Sequence, residues 1–331
     1  MDLQQRTLRV GLMAILWALA VRVSTTDFGP LVSRLLEQPV IAAFVNRFET
    51  GRGVRFSPSY QGFFPDFVET PPPSPPPATE PELPCFSGTE QVQVTYASAV
   101  SPDLPSLLAK PLQWDLSTGE PAVLIIHPHA TESYTRKGEA YRETAPYRTL
   151  EEGYNMLSIG ERVAQLLSQQ GIGVIHDRTV HDYPSYNGSY VSARKTIGEY
   201  LDRYPTIRLV LDLHRDASEG SSGQLRTAAK VGEETSAQLM VVIGTNPEGY
   251  GENLSIGLKL HTLLERENPG ITRPLQLRGQ RFNQDLLPGA LLIEVGAAGN
   301  THEEAMLAAG QLARAVAALA RGTREAAAEP S

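Results

Sequence analysis

The chain has 331 residues, of which 41% are hydrophobic, and carries a formal net charge of −8. That is enough apolar material for a sizeable core, and the acidic balance with no clustered Lys/Arg stripe excludes a nucleic-acid binder, whose phosphate contacts need such a stripe. The single cysteine, Cys85, excludes intramolecular disulfides and cysteine-based zinc sites, so any metal must be held by histidines and carboxylates.

In chain order, the first feature is an uncharged run from Val10 to Val21 between Arg9 and Arg22. It reads as an export segment. Its length falls short of the about 20 residues that span a bilayer, and Ala18-Leu19-Ala20 has the small-residue form of a cleavage site. Snorkelling of the two arginines to the interfaces would instead lengthen the run into an uncleaved anchor. Residues 1–26 are therefore assigned to a signal or transmembrane anchor, with everything after them extracytoplasmic, or secreted if the segment is cleaved.

Residues 27–69 form a membrane-proximal region. Its amphipathic stretch at 28–48 is read as packing on its own neighbours, and it is followed by an aromatic loop with Tyr60, Phe63, Phe64 and Phe67. The run TPPPSPPPATEPELP at 70–84 is too proline-rich to pack. It reads as an extended spacer of about 3.1 Å per residue that ends in a catalytic domain at 85–323 and a tail at 324–331.

Within that domain, strands are expected at 92–97, 122–128, 172–176, 207–214, 238–244 and 289–295, with a loop through Pro111. Helices are expected at 153–169, 189–203, 251–267 and 301–320. The last opens on Thr301 and Glu304, spaced as a capping box, which makes His302 a helix-start residue. Strands alternating with helices imply an α/β domain with a mixed, mostly parallel sheet flanked by helices.

Three apolar runs end in polar clusters: AVLIIHPHATES (122–133), IRLVLDLHRDA (207–217) and GALLIEVGAAGNT (289–301). The carboxyl edge of an open α/β sheet is where ligands bind. His129 and Glu132, three apart at a strand end, and His214 from a second strand supply two imidazoles and one carboxylate, which leaves the fourth position of a zinc ion open for water. Glu294 follows four apolar residues, where an ionised carboxylate is costly without a cation or a proton-transfer role, and it reads as the general base. Such a set cleaves amides.

Alternatives stand beside these assignments. His127 competes with His129, and Glu143, Glu151 and Glu152 compete with Glu132. Asp212 and Asp216 share the parity of His214 and are placed to orient it. Arg215 is a candidate for a substrate carboxylate or a structural ion pair. Asn283, Gln284 and Asp285 precede the strand that bears Glu294 and are candidates equally for positioning substrate and for scaffolding their loop. HDRTVHD (176–182) reads as a polar loop bonded to itself, and YPSYNGSYVSARKT (183–196), with Tyr183, Tyr186 and Tyr190, as a tyrosine-rich rim in which Ser189 is a candidate helix cap.

The blocks HPHATESY (127–134), GIGVIHDRTVHDYPSYNGSY (171–190), LDLHRDA (211–217), VVIGTN (241–246), RFNQDLLPGALLIEVG (281–296) and GNTHEEA (299–305) resemble the stage II sporulation protein P family of zinc-dependent N-acetylmuramoyl-L-alanine amidases. The resemblance spans roughly residues 120–320; Pro128 and Ala130 stand where family members more often carry Thr. It implies zinc on His129, Glu132 and His214, catalysis by Glu294, a second activity on peptide cross-links, and an uncleaved single-pass anchor facing outward. It also implies a lytic transglycosylase partner, stage II sporulation protein D, in engulfment. The competing readings are a zinc carboxypeptidase, which also combines HxxE, a later His and a downstream Glu, and a non-catalytic wall-binding protein.

Overall fold

The computed structural model describes residues 83–323, apart from 89, 137, 139–146, 218, 221, 222 and 247. The anchor, the membrane-proximal region, the linker before Leu83 and the tail from 324 lie outside the described residues, as does Glu143. Among the described residues no helix is long and apolar enough to cross a membrane.

Eleven described strands and five described α-helices follow in chain order: β1 (Val94–Ala97), α1 (Leu104–Ala109), β2 (Pro121–Ile126), α2 (Met156–Gln169), β3 (Gly173–His176), α3 (Ser189–Arg203), β4 (Leu209–Asp216), β5 (Glu219–Gly220), β6 (Gly223–Gln224), β7 (Ala228–Val231), β8 (Glu234–Ala237), β9 (Leu239–Gly244), α4 (Tyr250–Glu267), β10 (Leu275–Arg278), β11 (Ala290–Ala297) and α5 (His302–Ala318). Seven strands make one sheet in the order β1-β10-β9-β11-β4-β2-β3, and the pairs β5–β6 and β7–β8 are separate hairpins. Within the sheet, β3-β2-β4-β11 are parallel, β9-β10-β1 are parallel, and the two blocks meet at the antiparallel pair β11–β9.

Each expected strand and helix forms within a few residues of its reading. The Thr301–Glu304 capping box forms with both of its reciprocal bonds. Four-residue β10, six-residue α1 and the two hairpins were not foreseen. Elements so short carry too few apolar positions to show a period, and α1 owes its start to the Asp103 carboxylate, which accepts from the Ser106 N–H.

The period-2 alternation of the central strands sorts their side chains between two faces. Leu209, Leu211, Leu213, Val123, Ile125, Ile293 and Val295 face one way and pack in the large core with residues of α2, α4 and α5. Val210, Leu124, Ile126 and Ala290 face the other way, against Ala193 and Ile197 of α3. Beside them, Met240, Val242 and Leu292 lie under Phe282. The same alternation carries Asp212, His214 and Glu294 onto this second face at the sheet's carboxyl edge, with His214 and Glu294 in register on adjacent strands.

Candidate active site

β2 ends at Ile126, and the following turn brings His129 and Glu132 over the edge, with the Glu132 N–H donating to the His129 carbonyl (3.1 Å). That turn is braced from outside. The Asp182 carboxylate accepts from the Thr131 hydroxyl (2.5 Å), the Thr131 N–H (3.3 Å) and Arg148 Nη1 (2.8 Å). Arg215 Nε donates to the Ser133 carbonyl (3.2 Å) and its Nη2 to the Tyr147 carbonyl (3.1 Å). On β11 the register with β4 shifts between Glu294 and Ala297, and Gly296 there takes a φ of 70° with a Cβ position only 2.7 Å from Ala237 Cβ, so the bend after Glu294 demands glycine.

His129, Glu132, His214 and Glu294 line one cleft of about 350 Å³, together with Tyr190, Arg215, Asp216, Ala217, Arg278, Phe282 and Leu292. The His129 and His214 rings stand 5.3 Å apart at 80°. His214 Nδ1 lies 3.7 Å from Glu132 Oε2, and Glu132 Oε2 also accepts the Arg215 N–H (3.2 Å). On the other side of the ring, His214 Nε2 is 2.7 Å from Asp212 Oδ1, an ion-pair distance although off the direction a hydrogen bond requires. Tyr186 stacks on His129 at 4.4 Å, and Tyr190 lies parallel to His214 at 6.0 Å.

Burial opposes charge on all four groups; it prevails at His129 and Glu294, and charged neighbours overturn it at His214 and Glu132. For His214, burial lowers the pKa, but the Asp212 and Glu132 carboxylates raise it well above the ordinary histidine value. For Glu132, burial raises it, but His214 and Arg215 bring the carboxyl down to about 2. Burial lowers His129 to about 4. Glu294 is pushed up to about 8 by burial, and its Oε2 has no hydrogen-bond partner among the described residues. An orphaned buried carboxyl of this kind is a candidate proton carrier, and a cation in the cleft would favour its ionised form.

The donor types fit zinc. Two imidazoles and one carboxylate face the same cleft, and Asp212 sits against the far nitrogen of His214 as metal-bound histidines require. As the side chains stand, no group of three His, Cys, Asp or Glu residues among the described ones is drawn together tightly enough to grip an ion.

Several candidates lie elsewhere. His127 faces the opposite side of the sheet, with Nδ1 donating to the Leu213 carbonyl (3.1 Å) and Nε2 3.0 Å from His176 Nε2, because it shares the parity of Val123 and Ile125. Glu151 pairs with Arg136 and Glu152 with Arg178, both outside the cleft. Asp216 pairs with Arg273 (2.6 Å) and does not touch His214's ring in the way Asp212 does. Asn283 Nδ2 donates to the Tyr190 carbonyl (2.9 Å), and Asp285 forks onto Arg194 (2.8 and 2.7 Å), so both tie the 279–288 loop to α3. Gln284 bonds the backbone of Gly244 and Val242. Ser189 does not cap α3: the cap is Gly188 in the left-handed region, and the Ser189 hydroxyl reaches His129 Nδ1 (3.4 Å). The HDRTVHD loop bonds locally only in part, through His181 Nε2 to Asp177 (3.1 Å) and Thr179 to Asp177 (3.0 Å); Asp182 instead braces Thr131, and His176 and Arg178 reach Glu161.

Arg148, Asp182, Arg278 and Phe282 escaped the sequence reading of the site. They are separated from the ligand motifs in sequence, and nothing local distinguishes them from surface or core residues.

The family model described as stage II sporulation protein P matches residues 81–317. The chain belongs to this family. The kinship implied by the motif blocks is thereby established. Stage II sporulation protein P of Bacillus subtilis (strain 168) is 29% identical over 262 residues, which are 74% of this chain and 61% of that relative. The chain thus spans about three-fifths of the length of the curated relative it matches. Among solved structures, the N-acetylmuramoyl-L-alanine amidase AmiC2 of Nostoc punctiforme is 15% identical, with a TM-score of 0.36 over 59% of this chain and 94% of its own. The apo amidase Ami1 of Mycobacterium abscessus is 15% identical, with a TM-score of 0.36 over 60% and 96%. The CwlD amidase of Clostridioides difficile, in complex with the GerS lipoprotein, is 13% identical, with a TM-score of 0.35 over 59% and 94%.

Proposed function

We propose that this family member is a zinc-dependent N-acetylmuramoyl-L-alanine amidase that cuts the bond between glycan and stem peptide of peptidoglycan during sporulation, with a second activity on peptide cross-links. The observation that carries the reading is the meeting of His129, Glu132, His214 and Glu294 in one cleft at the sheet's carboxyl edge. In this reading residues 1–26 anchor the protein in the membrane, the catalytic domain faces outward, and a stage II sporulation protein D-like lytic transglycosylase works on the same polymer.

His129, Glu132 and His214 would hold the zinc. Bound there, zinc would supply Lewis acidity to the scissile carbonyl and to water. Asp212 holds the His214 ring by its Nε2 side, which leaves Nδ1 turned to Glu132. The Arg215 N–H and Arg148 fix the Glu132 carboxylate. Glu294 accepts a proton from the attacking water and returns it to the leaving amine nitrogen. Burial, which raises its pKa, makes it a competent acid in the second step. Tyr186, 53% exposed and stacked on His129, offers an apolar face to the sugar or peptide at the mouth.

The test is digestion of purified peptidoglycan by the full chain, with and without zinc, comparing wild type with Glu294→Ala and identifying products by mass spectrometry. Free stem peptides and peptide-free glycan, lost on zinc removal and reduced about 10²–10⁴-fold by Glu294→Ala, are expected. Shortened stems with intact lactyl amides would replace the amidase reading with a peptidase, and binding without any product would leave a wall-binding protein.

A further inference from the structure

The amidase reading leaves one cleft residue without a task. Arg278, the last residue of β10, lines the cleft with Glu294 and is half-buried. Among the described residues its guanidinium makes a single bond, from Nε to Gln276 Oε1 (2.8 Å), and neither Nη group has a partner. Other arginines around it have found carboxylates: Arg273 has Asp216 (2.6 Å), and Arg194 and Arg281 share Asp285 (2.7 and 3.9 Å). Arg278 does not bond to Glu294 either, whose Oε2 has no hydrogen-bond partner among the described residues.

The Arg278 charge reaches Glu294, whose pKa it lowers, but no carboxylate lies within ion-pair distance of it among the described residues, and a half-buried guanidinium left so gains from an anion that visits it. The bond to Gln276 holds Nε and leaves the Nη pair to meet a planar acceptor, the arrangement that suits a carboxylate. Phe282 and Leu292 wall the same cleft with apolar surface, which strengthens a charge contact made there. Gly244, in register with Arg278, permits that wall: a Cβ at Gly244 would stand 2.3 Å from the Gln280 carbonyl and 3.1 Å from the Phe282 ring, so glycine lets the 280–282 loop close over β9.

We propose that Arg278 is a specificity residue that binds a free carboxylate of the peptide portion of the substrate, with Gln276 aiming its guanidinium. The proposal rests on the amidase reading for the identity of that peptide, and it makes the cleft select acidic over amidated stems.

The test uses the zinc-loaded full chain and two soluble muramyl-peptides that differ only in carrying free carboxylates or carboxamides on the stem. For wild type, amidation should raise KM roughly tenfold or more with kcat little changed, the size of one charge-assisted contact. Arg278→Gln should handle both peptides alike, with kcat/KM near that of wild type on the amidated one, and Arg278→Lys should recover part of the preference. An acid preference that survives Arg278→Gln overturns the proposal, as does a variant that keeps its fold and loses kcat equally on both peptides. Calorimetric binding of the two peptides to Glu294→Gln, and to Glu294→Gln with Arg278→Gln, decides the same point without turnover. If wild type releases no product from either peptide, the amidase reading falls, while a roughly tenfold acid preference in binding that requires Arg278 still upholds its role, and no such preference overturns it.

Discussion

Two pairs of imidazoles sit at the same edge of the sheet, on opposite faces. His129 and His214 meet at 5.3 Å and 80°, and His127 and His176 meet at 5.2 Å and 86°, so the ring geometry is nearly the same. Their surroundings differ. The first pair is ringed by Glu132, Asp212 and Glu294, whereas the second lies against the core with one carboxylate, Glu161, 3.4 Å from His176 Nδ1, and a Cβ on Gly160 of α2 would fall 2.4 Å from His127 Nε2 and 2.5 Å from His176 Nε2. Accordingly His214 is raised well above the usual value by its carboxylates, whereas burial holds His127 down at about 3. The Leu213 carbonyl accepts from His127 Nδ1, so His127 Nε2 must accept from the His176 Nε2–H, and both rings of that pair are engaged. Two histidines make a candidate metal centre where several carboxylates face them across an open cleft; His127 and His176 have Glu161 at one edge only and are closed in by α2 at Gly160.

The sharpest way to break the comparison is to remove one ring from each pair. His214→Ala should weaken zinc binding by more than about 100-fold, beyond the loss that follows removal of a mere supporting partner. If the cleft takes zinc as proposed, His127→Ala should bind it as wild type does and instead lose about 2–4 kcal/mol of stability, from the cavity and the stranded His176. Metal content by elemental analysis, with urea unfolding of the metal-free proteins, reads both, and zinc loss in His127→Ala would erase the distinction drawn between the two faces.

A smaller effect is expected at Asp212. Replacement by Asn keeps the shape but removes the charge beside His214 Nε2, and zinc affinity should fall about 10–100-fold, measured by competition with a chelator. An unchanged affinity would show that Asp212 does not orient the ring.

The mildest effect is on pH dependence. His214 has a raised pKa, so in the metal-free cleft it keeps its proton at neutral pH, and a metal must displace that proton. Glu132, at about 2, is already ionised and adds nothing to the slope at neutral pH. Glu294, at about 8, holds a second proton that a cation in the cleft would displace, so below neutrality zinc affinity should climb by between about tenfold and about a hundredfold per pH unit. Titration at a series of pH values checks this, and a flat profile through neutrality would mean that neither His214 nor Glu294 gives up a proton to the metal.

Much of this was legible in the chain alone. The apolar runs leading to His129, His214 and Glu294 placed those residues at one edge, because a strand buried on both faces is apolar along most of its length and a polar residue in it marks the end where a site opens. The Thr301–Glu304 box marked its helix for a similarly local reason, since capping involves only residues three apart. What the chain alone left open was the face on which each side chain emerges once a strand has ended. His127 and His129 are two residues apart and share a strand parity, which left His127 a rival to His129; the turn after Ile126 leaves the first ring in the core and carries the second into the cleft. Asp182 bracing Thr131, Arg215 holding the Ser133 and Tyr147 carbonyls, and Arg278 arriving from a four-residue strand all join parts of the chain far apart in sequence. Such contacts exist only after the sheet has assembled. Sequence determined which chemistry the edge carries, because burial and capping obey local patterns; tertiary structure decided which groups share the cleft, because that depends on strand order and the direction each loop takes.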